Sequence, residues 1–141
     1  MKAFFDTSVL VAAVREADLR HEASLKLLMR FAPQAASCAA HSLAELYATL
    51  TGMRPPHRLR PEQAALIVDQ FQSRLNCIPL TAEEVVQAIH HAAALKLSGG
   101  ILYDALLLAC ARKMEAERIY TWNVKHFQMV APDLAERIVT P

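Results

Sequence analysis

The chain lacks a dominant charge and any long apolar run. Its 15 Lys and Arg residues balance 14 Asp and Glu to a net charge of +1, so it has no strongly basic signature, and a polyanion would have to be bound by a local patch. Its apolar runs fall well short of the roughly 18 residues that cross a bilayer. No signal-peptide pattern is present at the start. We therefore expect no membrane partner and a cytoplasmic location.

Cysteines are few and show no metal-binding or disulfide pattern. Cys38, Cys77 and Cys110 are odd in number, far apart and set in apolar surroundings. This arrangement predicts reduced core residues rather than a disulfide framework or a CxxC metal site. The chain also lacks internal repeats, linkers and low-complexity segments. With 141 residues, 54% of them apolar, it has the size of one domain with its own core, and we expect residues 1–141 to form that single domain.

The stretch around Asp6 organises the rest of the chain. An apolar run at 3–5 does not alternate with polar residues, which is typical of a strand buried on both faces in the centre of a parallel sheet. Asp6, Thr7 and Ser8 follow it, and a helical pattern begins at once. Ligands bind at the carboxyl edge of such sheets, where Asp6 is expected to lie. The alternative is that Asp6 or Thr7 merely caps the helix.

Further along, strands and helices alternate. Further strands are predicted at 35–39, 76–80, 118–121 and, at the edge, 138–139, and helices at 8–15, 21–31, 43–51, from 61 onward, 82–97 and 103–116. Two capping boxes, Ser42 to Glu45 and Thr81 to Glu84, are read as helix starts. In the helix after Thr81, the residues expected to face inward are Val85, Ile89, Ala92 and Ala93. The alternation predicts the α/β class, with a central parallel sheet of four or five strands and helices on both faces.

Three acids stand at helix starts or strand ends: Asp6, Glu45 and Asp104. Each has a structural explanation as a cap or as a favourable charge at a helix N-terminus. Helices that follow parallel strands begin at one edge of the sheet, so Asp6 and Glu45 are expected to be neighbours there. This argument does not place Asp104 as directly, because Asp104 follows a Gly-Gly turn rather than a clear strand. Clustered carboxylates repel one another, and a hard divalent cation such as Mg²⁺ or Mn²⁺ relieves that repulsion and supports phosphodiester chemistry.

Five features in this order and spacing extend over essentially the whole chain: Asp6-Thr7-Ser8 after the first strand, Glu45 at a mid-chain helix, Tyr103-Asp104 opening a late apolar helix, Thr121-Trp122-Asn123 after the next strand, and His126-Phe127. Together they resemble a PIN domain, and more narrowly the VapC-type toxins of toxin-antitoxin pairs. The resemblance implies a PIN-like fold and a metal-dependent endoribonuclease that hydrolyses RNA. It also implies a cognate antitoxin protein as partner and a homodimer.

The resemblance also implies roles for individual residues. The metal ligands would be Asp6, Glu45 and Asp104, bound to Mg²⁺ or Mn²⁺, and the residues that support them would be Thr7, Ser8 and Thr121. The chain departs from the family pattern at Asn123, where a fourth acid often stands. An amide oxygen can hold a metal or a water but supplies neither charge nor a base, so a second metal site is in question. The candidates for RNA contact are Arg54, Arg58 and Arg60 of the proline-rich loop 53–60, and Trp122; an ordinary solvated loop and a packed indole are the alternatives.

Two other functions compete with this interpretation. In a phosphotransfer domain Asp6 itself would be the nucleophile, but such sites need a second acid two residues later, where this chain has Ser8. A non-catalytic PIN-like module that binds RNA or a protein is the other alternative, and Asn123 favours it. Metal binding separates this module from a nuclease.

Overall fold

One five-stranded parallel sheet organises the protein. The computed structural model describes all residues, 1–141. The strands are β1 (Ala3–Phe5), β2 (Ala36–Ala39), β3 (Asn76–Ile78), β4 (Arg118–Tyr120) and β5 (Ile138–Val139). They lie in the order β3-β2-β1-β4-β5, and every neighbouring pair is parallel. The predicted α/β class and the central position of β1 are confirmed.

Helices cover both faces of this sheet. They are α1 (Thr7–Val14), α2 (His21–Met29), α3 (Ala40–Gly52), α4 (Pro61–Arg74), α5 (Ala82–Ala94), α6 (Ile101–Lys113) and α7 (Val124–Val130), with a 3₁₀ helix at Pro132–Arg137 before β5. No helix has both the length and the apolar character to cross a membrane.

The two faces of β1 belong to two separate apolar clusters. Phe5 packs with side chains of α1, α2, α3 and α4, whereas Phe4 packs with those of α6 and α7. Both phenylalanines are fully buried. Successive side chains of a strand point to opposite faces, so an apolar run without alternation requires cover on both sides. The sheet therefore lies between two helical layers.

The capping box predicted at Ser42 is wrong. Helix α3 begins at Ala40, directly after β2, so Ser42 lies inside the first turn and Glu45 in the second. The hydroxyl of Ser42 is fully buried and accepts a hydrogen bond from Thr7 Oγ1 at 2.8 Å. A capping pattern records only local spacing, and here a tertiary partner takes the hydroxyl. The capping box at Thr81 is confirmed, with Glu84 N donating to Thr81 Oγ1 and Thr81 N donating to Glu84 Oε1.

The prediction that one face of α5 points inward is wrong in part. Ala92 is buried and Val85 is half-buried, but Ile89 and Ala93 are exposed. Helix α5 packs on α6 rather than on the sheet. Because its cover is a single helix, the buried stripe is narrower than the apolar pattern suggests. A periodic pattern identifies the apolar face of a helix but not how much of it is covered.

The cysteines are free, as expected, but not isolated. Cys38 and Cys110 are buried, whereas Cys77 is only half-buried. Cys38 of β2 and Cys77 of β3 are register partners on neighbouring strands, and their Sγ atoms lie 3.8 Å apart. The prediction of core residues is confirmed for Cys38 and Cys110 but not for Cys77. Strand order brings together residues that are 39 positions apart in the chain.

Candidate metal centre

Three different connections bring the acids to the carboxyl edge of the sheet. Asp6 directly follows β1, and α3, which carries Glu45, directly follows β2. Helix α6 precedes β4 and returns the chain to the start of that strand. Its first turn, with Asp104, must therefore lie at the opposite edge, where the strands end. This return path is why an acid after a Gly-Gly turn, with no strand directly before it, joins the other two.

Asp6 is held firmly in a buried setting. Only 3% of the residue is exposed. Its Oδ2 accepts hydrogen bonds from Ser8 Oγ at 2.7 Å and from Thr121 Oγ1 at 2.8 Å. Its backbone N–H donates to Tyr120 O at 2.9 Å, which continues the pairing of β1 with β4. Two hydroxyls and the sheet therefore hold the carboxylate in one orientation.

The same two hydroxyls anchor the loop after β4. Thr121 Oγ1 accepts from the backbone N–H of Asn123 at 2.9 Å, and Ser8 Oγ accepts from that of Trp122 at 3.1 Å. Each hydroxyl thus donates to Asp6 and accepts from the loop. Asn123 is exposed and immediately precedes α7. It is therefore tied to Asp6 through one hydroxyl, that of Thr121.

Glu45 stands in a different setting from Asp6. Its Oε1 is buried and has no hydrogen-bond partner. His41 Nε2, one turn earlier on α3, lies 3.6 Å from this oxygen, which is too long for a hydrogen bond, and is itself unpartnered. Burial lowers the pKa of His41 and so favours its neutral form. Buried polar atoms are nearly always paired, so such an atom calls for an explanation. The hydrogen bond between Thr7 and Ser42 fixes α3 against α1 and so fixes the backbone that carries Glu45 relative to Asp6.

The three carboxylates affect one another's ionisation. Burial, and then the charges of Asp6 and Asp104, raise the pKa of Glu45 above its usual value. Burial and the charge of Asp6 raise the pKa of Asp104, while nearby His126 lowers it. Burial also raises the pKa of Asp6, against the hydrogen bonds from Ser8 and Thr121. Acids from three distant parts of the chain therefore share one region and repel one another.

The residues present fit a hard divalent cation. The donor set is all oxygen, with no thiolate, which suits Mg²⁺ or Mn²⁺. The unpartnered Oε1 of Glu45 and the mutual repulsion of the acids are both relieved by a positive charge. As the side chains stand, no three Asp, Glu, His or Cys side chains converge closely enough to coordinate an ion. Binding therefore requires side-chain rotation, which Glu45 can undergo without breaking a hydrogen bond.

Not every predicted residue lies at this centre. The hydroxyl of Thr7 donates to Ser42 rather than to a carboxylate. The loop with Arg54, Arg58 and Arg60 lies against the C-terminal ends of α1 and α3, beside residues 14–17 and Leu50. The acids stand near the N-terminal ends of the same two helices, and the eight residues of α1 alone span about 12 Å. The three arginines are therefore separated from the carboxylates.

Trp122 is packed rather than free. Its indole N–H donates to buried Ser24 Oγ at 2.9 Å, and the guanidinium of Arg20 lies 5.2 Å from the ring centroid. One face of the ring is therefore covered by a cation. The indole joins α2 to the loop that carries Asn123.

Sequence reasoning missed Arg20 and His41, and it named Ser42 and His126 without giving either a role beside the acids. Helical spacing could have identified His41, which stands four residues before Glu45 on the same face of α3. The pattern at Ser42 was visible but was interpreted as a cap. No local signal marks Arg20, because its contact with Trp122 spans about a hundred residues of sequence.

Comparisons with known proteins agree with this architecture. The family model "PIN domain" matches residues 3–131. Ribonuclease VapC40 of Mycobacterium tuberculosis is 34% identical over 102 residues, which are 72% of this chain and 72% of that protein. Ribonuclease VapC27 of the same species is 31% identical over 113 residues, 79% of this chain and 78% of that protein.

Solved structures show the same fold. The M. tuberculosis toxin VapC20, described as cleaving the sarcin-ricin loop, aligns with a TM-score of 0.70 at 21% identity, covering 88% of this chain and 92% of that one. VapBC2 from Rickettsia felis, bound to promoter DNA, aligns with a TM-score of 0.66 at 21% identity, covering 99% and 98%. The family match and the curated relatives extend over most of the chain, and both agree with the resemblance seen in the sequence. The chain therefore belongs to the PIN domain family and is, within it, a VapC-type endoribonuclease toxin.

Proposed function

We propose that Asp6, Glu45 and Asp104 hold one Mg²⁺ or Mn²⁺ ion and that RNA phosphodiester bonds are hydrolysed at this centre. The observation that carries the proposal is the meeting of three carboxylates: burial raises the pKa of all three, and the charge of Asp6 raises those of Glu45 and Asp104 further. Holding them together costs stability, since like charges at short range repel. A bound cation would relieve this repulsion, and the relief would contribute to the free energy of cation binding.

The protein's own residues supply a rigid part and an adjustable part. Ser8 and Thr121 fix the carboxylate of Asp6, so one ligand is pre-oriented. Glu45 has an unpartnered oxygen and can turn towards the ion. When bound, such an ion lowers the pKa of a water molecule and neutralises charge that develops on the phosphodiester. We assign Asn123 to holding a water or a substrate oxygen, because its amide brings no charge for a second ion.

Cationic side chains near the carboxylates are candidates to receive the RNA backbone. Arg20 lies over the ring of Trp122, and Lys125 is exposed in the first turn of α7. His126 is near enough to Asp104 to lower the pKa of that acid. The loop with Arg54, Arg58 and Arg60 is farther away and would meet only an RNA that extends beyond the cut site. Phosphate contacts of this kind make binding depend on salt, since counterions are released.

We also propose a protein partner and a homodimer for this toxin. Two of the solved structures that share the fold are VapBC complexes, from R. felis and from nontypeable Haemophilus influenzae. By analogy, a cognate antitoxin protein would bind and silence this chain in the cytoplasm. Apolar side chains exposed on α5 and after it, among them Val86, Ile89 and Leu95, support burial against a second copy.

Cleavage of RNA by purified protein tests the proposal. Wild type is incubated with a panel of structured RNAs and Mg²⁺ or Mn²⁺, beside Asp6→Asn and Asp69→Asn, a matched control on the exposed face of α4. We expect cleavage by wild type and by the control, and none by Asp6→Asn or after chelation. Equal cleavage by wild type and Asp6→Asn would contradict the proposal.

Calorimetry with Mn²⁺ separates a nuclease from a non-catalytic module. Two observations favour the module: Asn123 stands where the family often has an acid, and 54% of the residues are apolar. Wild type should bind Mn²⁺ and Asp6→Asn should bind it far more weakly. RNA binding without any Mn²⁺ binding would support the module instead.

A further inference from the structure

The half-buried thiol of Cys77 and the buried thiol of Cys38 form a pair that the metal centre does not use. The two residues are direct register partners on β2 and β3, and their Sγ atoms are 3.8 Å apart. Cys38 is part of the apolar cluster that contains Phe5, and Cys77 packs against the same cluster. The two side chains therefore point to the same face of the sheet.

The backbone spacing suits a covalent bond between them. Neighbouring strands lie about 4.7–4.9 Å apart. Disulfides join Cα atoms that are about 4.4–6.8 Å apart, with an S–S bond of about 2.05 Å. Closing the gap from 3.8 Å therefore needs a shift of under about 2 Å, which side-chain rotation can supply while the strands stay paired.

The two thiols differ in exposure and in their hydrogen bonds. Cys38 is fully buried, whereas solvent reaches part of Cys77. The hydrogen bond with Cys38 lowers the pKa of Cys77 to about 7, and the same bond together with burial raises that of Cys38. A thiolate is the reactive form of cysteine, so Cys77 is the thiol that meets an oxidant first.

We propose that Cys38 and Cys77 are an oxidation site at which a hydroperoxide forms a disulfide that ties β2 to the edge strand β3. The bond closes the segment 38–77, which contains α3 and α4, and it lies next to the start of α3, which carries Glu45. Cys110 stays outside the reaction. It is buried in the cluster on the other face of the sheet, and its Sγ donates to Ile78 O at 3.5 Å.

The reaction proceeds in two balanced steps. The thiolate of Cys77 attacks one oxygen of hydrogen peroxide, the O–O bond breaks, and hydroxide leaves, so that Cys77 becomes a sulfenic acid. The sulfur of Cys38 then attacks the sulfur of Cys77, the S–O bond breaks, and the oxygen leaves as water with the proton of Cys38. Two thiols are oxidised, and one peroxide is reduced to water.

Mass spectrometry of peroxide-treated wild type tests the proposal directly. We expect the intact monomer to lose two hydrogen atoms, and a digest without reductant to contain a peptide pair linked through Cys38 and Cys77. Cys110→Ser should give the same product. The oxidised protein should also unfold at a higher temperature than the reduced one, reversibly with dithiothreitol, since a crosslink restricts the unfolded chain. A link to Cys110, a link between two chains, or stable sulfinic acid on Cys77 without a link would overturn the proposal.

A matched variant separates the roles of the two thiols. In Cys38→Ser the sulfenic acid of Cys77 has no thiol to react with, so dimedone should label Cys77 after peroxide treatment. Wild type should give little label, because the disulfide forms first. Equal labelling of Cys77 in the two proteins would contradict the role of Cys38. None of these measurements depends on RNA cleavage or on a metal ion, so they stand apart from the proposed function.

Discussion

The two ends of helix α6 place carboxylates in opposite surroundings. At its N-terminal end Asp104 is half-buried, faces Asp6 and Glu45, and has a raised pKa. At its C-terminal end Arg112 donates two hydrogen bonds, 2.6 and 2.8 Å long, to the exposed carboxylate of Asp133 in the 3₁₀ helix. These bonds lower the pKa of Asp133 to about 2. One end satisfies its charges within the protein. At the other end Asp104 lies near two further acids, and we propose that a cation binds there.

The largest effect, on RNA cleavage, is expected for a substitution at the N-terminal end of α6, where Asp104 lies. Asp104→Asn removes one negative oxygen from the proposed ligand set and should reduce RNA cleavage by at least about 100-fold, since even residues that only support a metal ligand cost 10- to 100-fold. Asp133→Asn, which removes the charge paired with Arg112 at the C-terminal end of α6, should cleave RNA like wild type. Comparable losses in the two variants would show that the two ends of α6 do not differ in their importance for RNA cleavage. Rates with Mn²⁺ and a cleavable RNA measure it.

Metal ions should stabilise only through the acid cluster. At a free Mn²⁺ concentration one hundred times Kd, binding adds about 2.7 kcal/mol to the free energy of unfolding. Thermal melts of wild type should therefore shift upward with Mn²⁺, while Glu45→Gln should melt higher than wild type without metal, because repulsion is relieved, and respond less to the ion. A drop in the metal-free melting temperature of Glu45→Gln would show that its carboxylate is structural.

The hydrogen bond between Thr7 and Ser42 should contribute to both stability and site geometry. Thr7→Val leaves the fully buried Ser42 hydroxyl without its partner, so we expect a loss of about 1–3 kcal/mol in unfolding free energy. The double variant Thr7→Val, Ser42→Ala should lose less than the sum of the single variants, because neither hydroxyl is left unpaired. Urea unfolding of the four proteins measures the coupling, and strict additivity would argue against it.

The smallest effect is expected at the satisfied end of α6. The pair of Arg112 and Asp133 is solvent-exposed, so Asp133→Asn should lower the free energy of unfolding by only about 0.2–1 kcal/mol.

The stabilisation by this pair should depend on pH. The pKa of Asp133 is lowered on folding, so the stabilisation is present above about pH 4, the unfolded value, and is lost as the pH falls through about 2. The raised pKa of Asp104 acts with the opposite sign, because its neutral form favours folding and is lost as the pH rises. Unfolding free energies from pH 2 to 7 for wild type and Asp133→Asn isolate the contribution of Asp133, and the pH dependence that remains includes those of Asp6, Glu45 and Asp104.

Local patterns predicted most elements of the fold. The strand before Asp6, the helix after Thr81 and the apolar helix that carries Asp104 were all predicted, because burial on two faces, a capping box and helical periodicity leave marks within a few residues. Ser42 and Ile89 were misinterpreted for one shared reason. Each pattern was present, but its outcome depends on another element. The hydroxyl of Ser42 bonds Thr7 of α1, and Ile89 is left exposed because α5 packs only on α6.

Local patterns in the sequence were enough to identify the chemical groups and the starts of most elements. They show a buried strand that ends in Asp6, two more acids near helix starts, and alternating strands and helices. Which of these groups lie in contact follows only from the packing of the whole chain. Thr121 bonds Asp6 from 115 residues away, and Cys77 faces Cys38, because strand order and register set these neighbours. Periodicity carries information over a few residues, whereas strand order depends on how the whole chain packs. Only that packing brings the three acids together, where we propose that a cation binds.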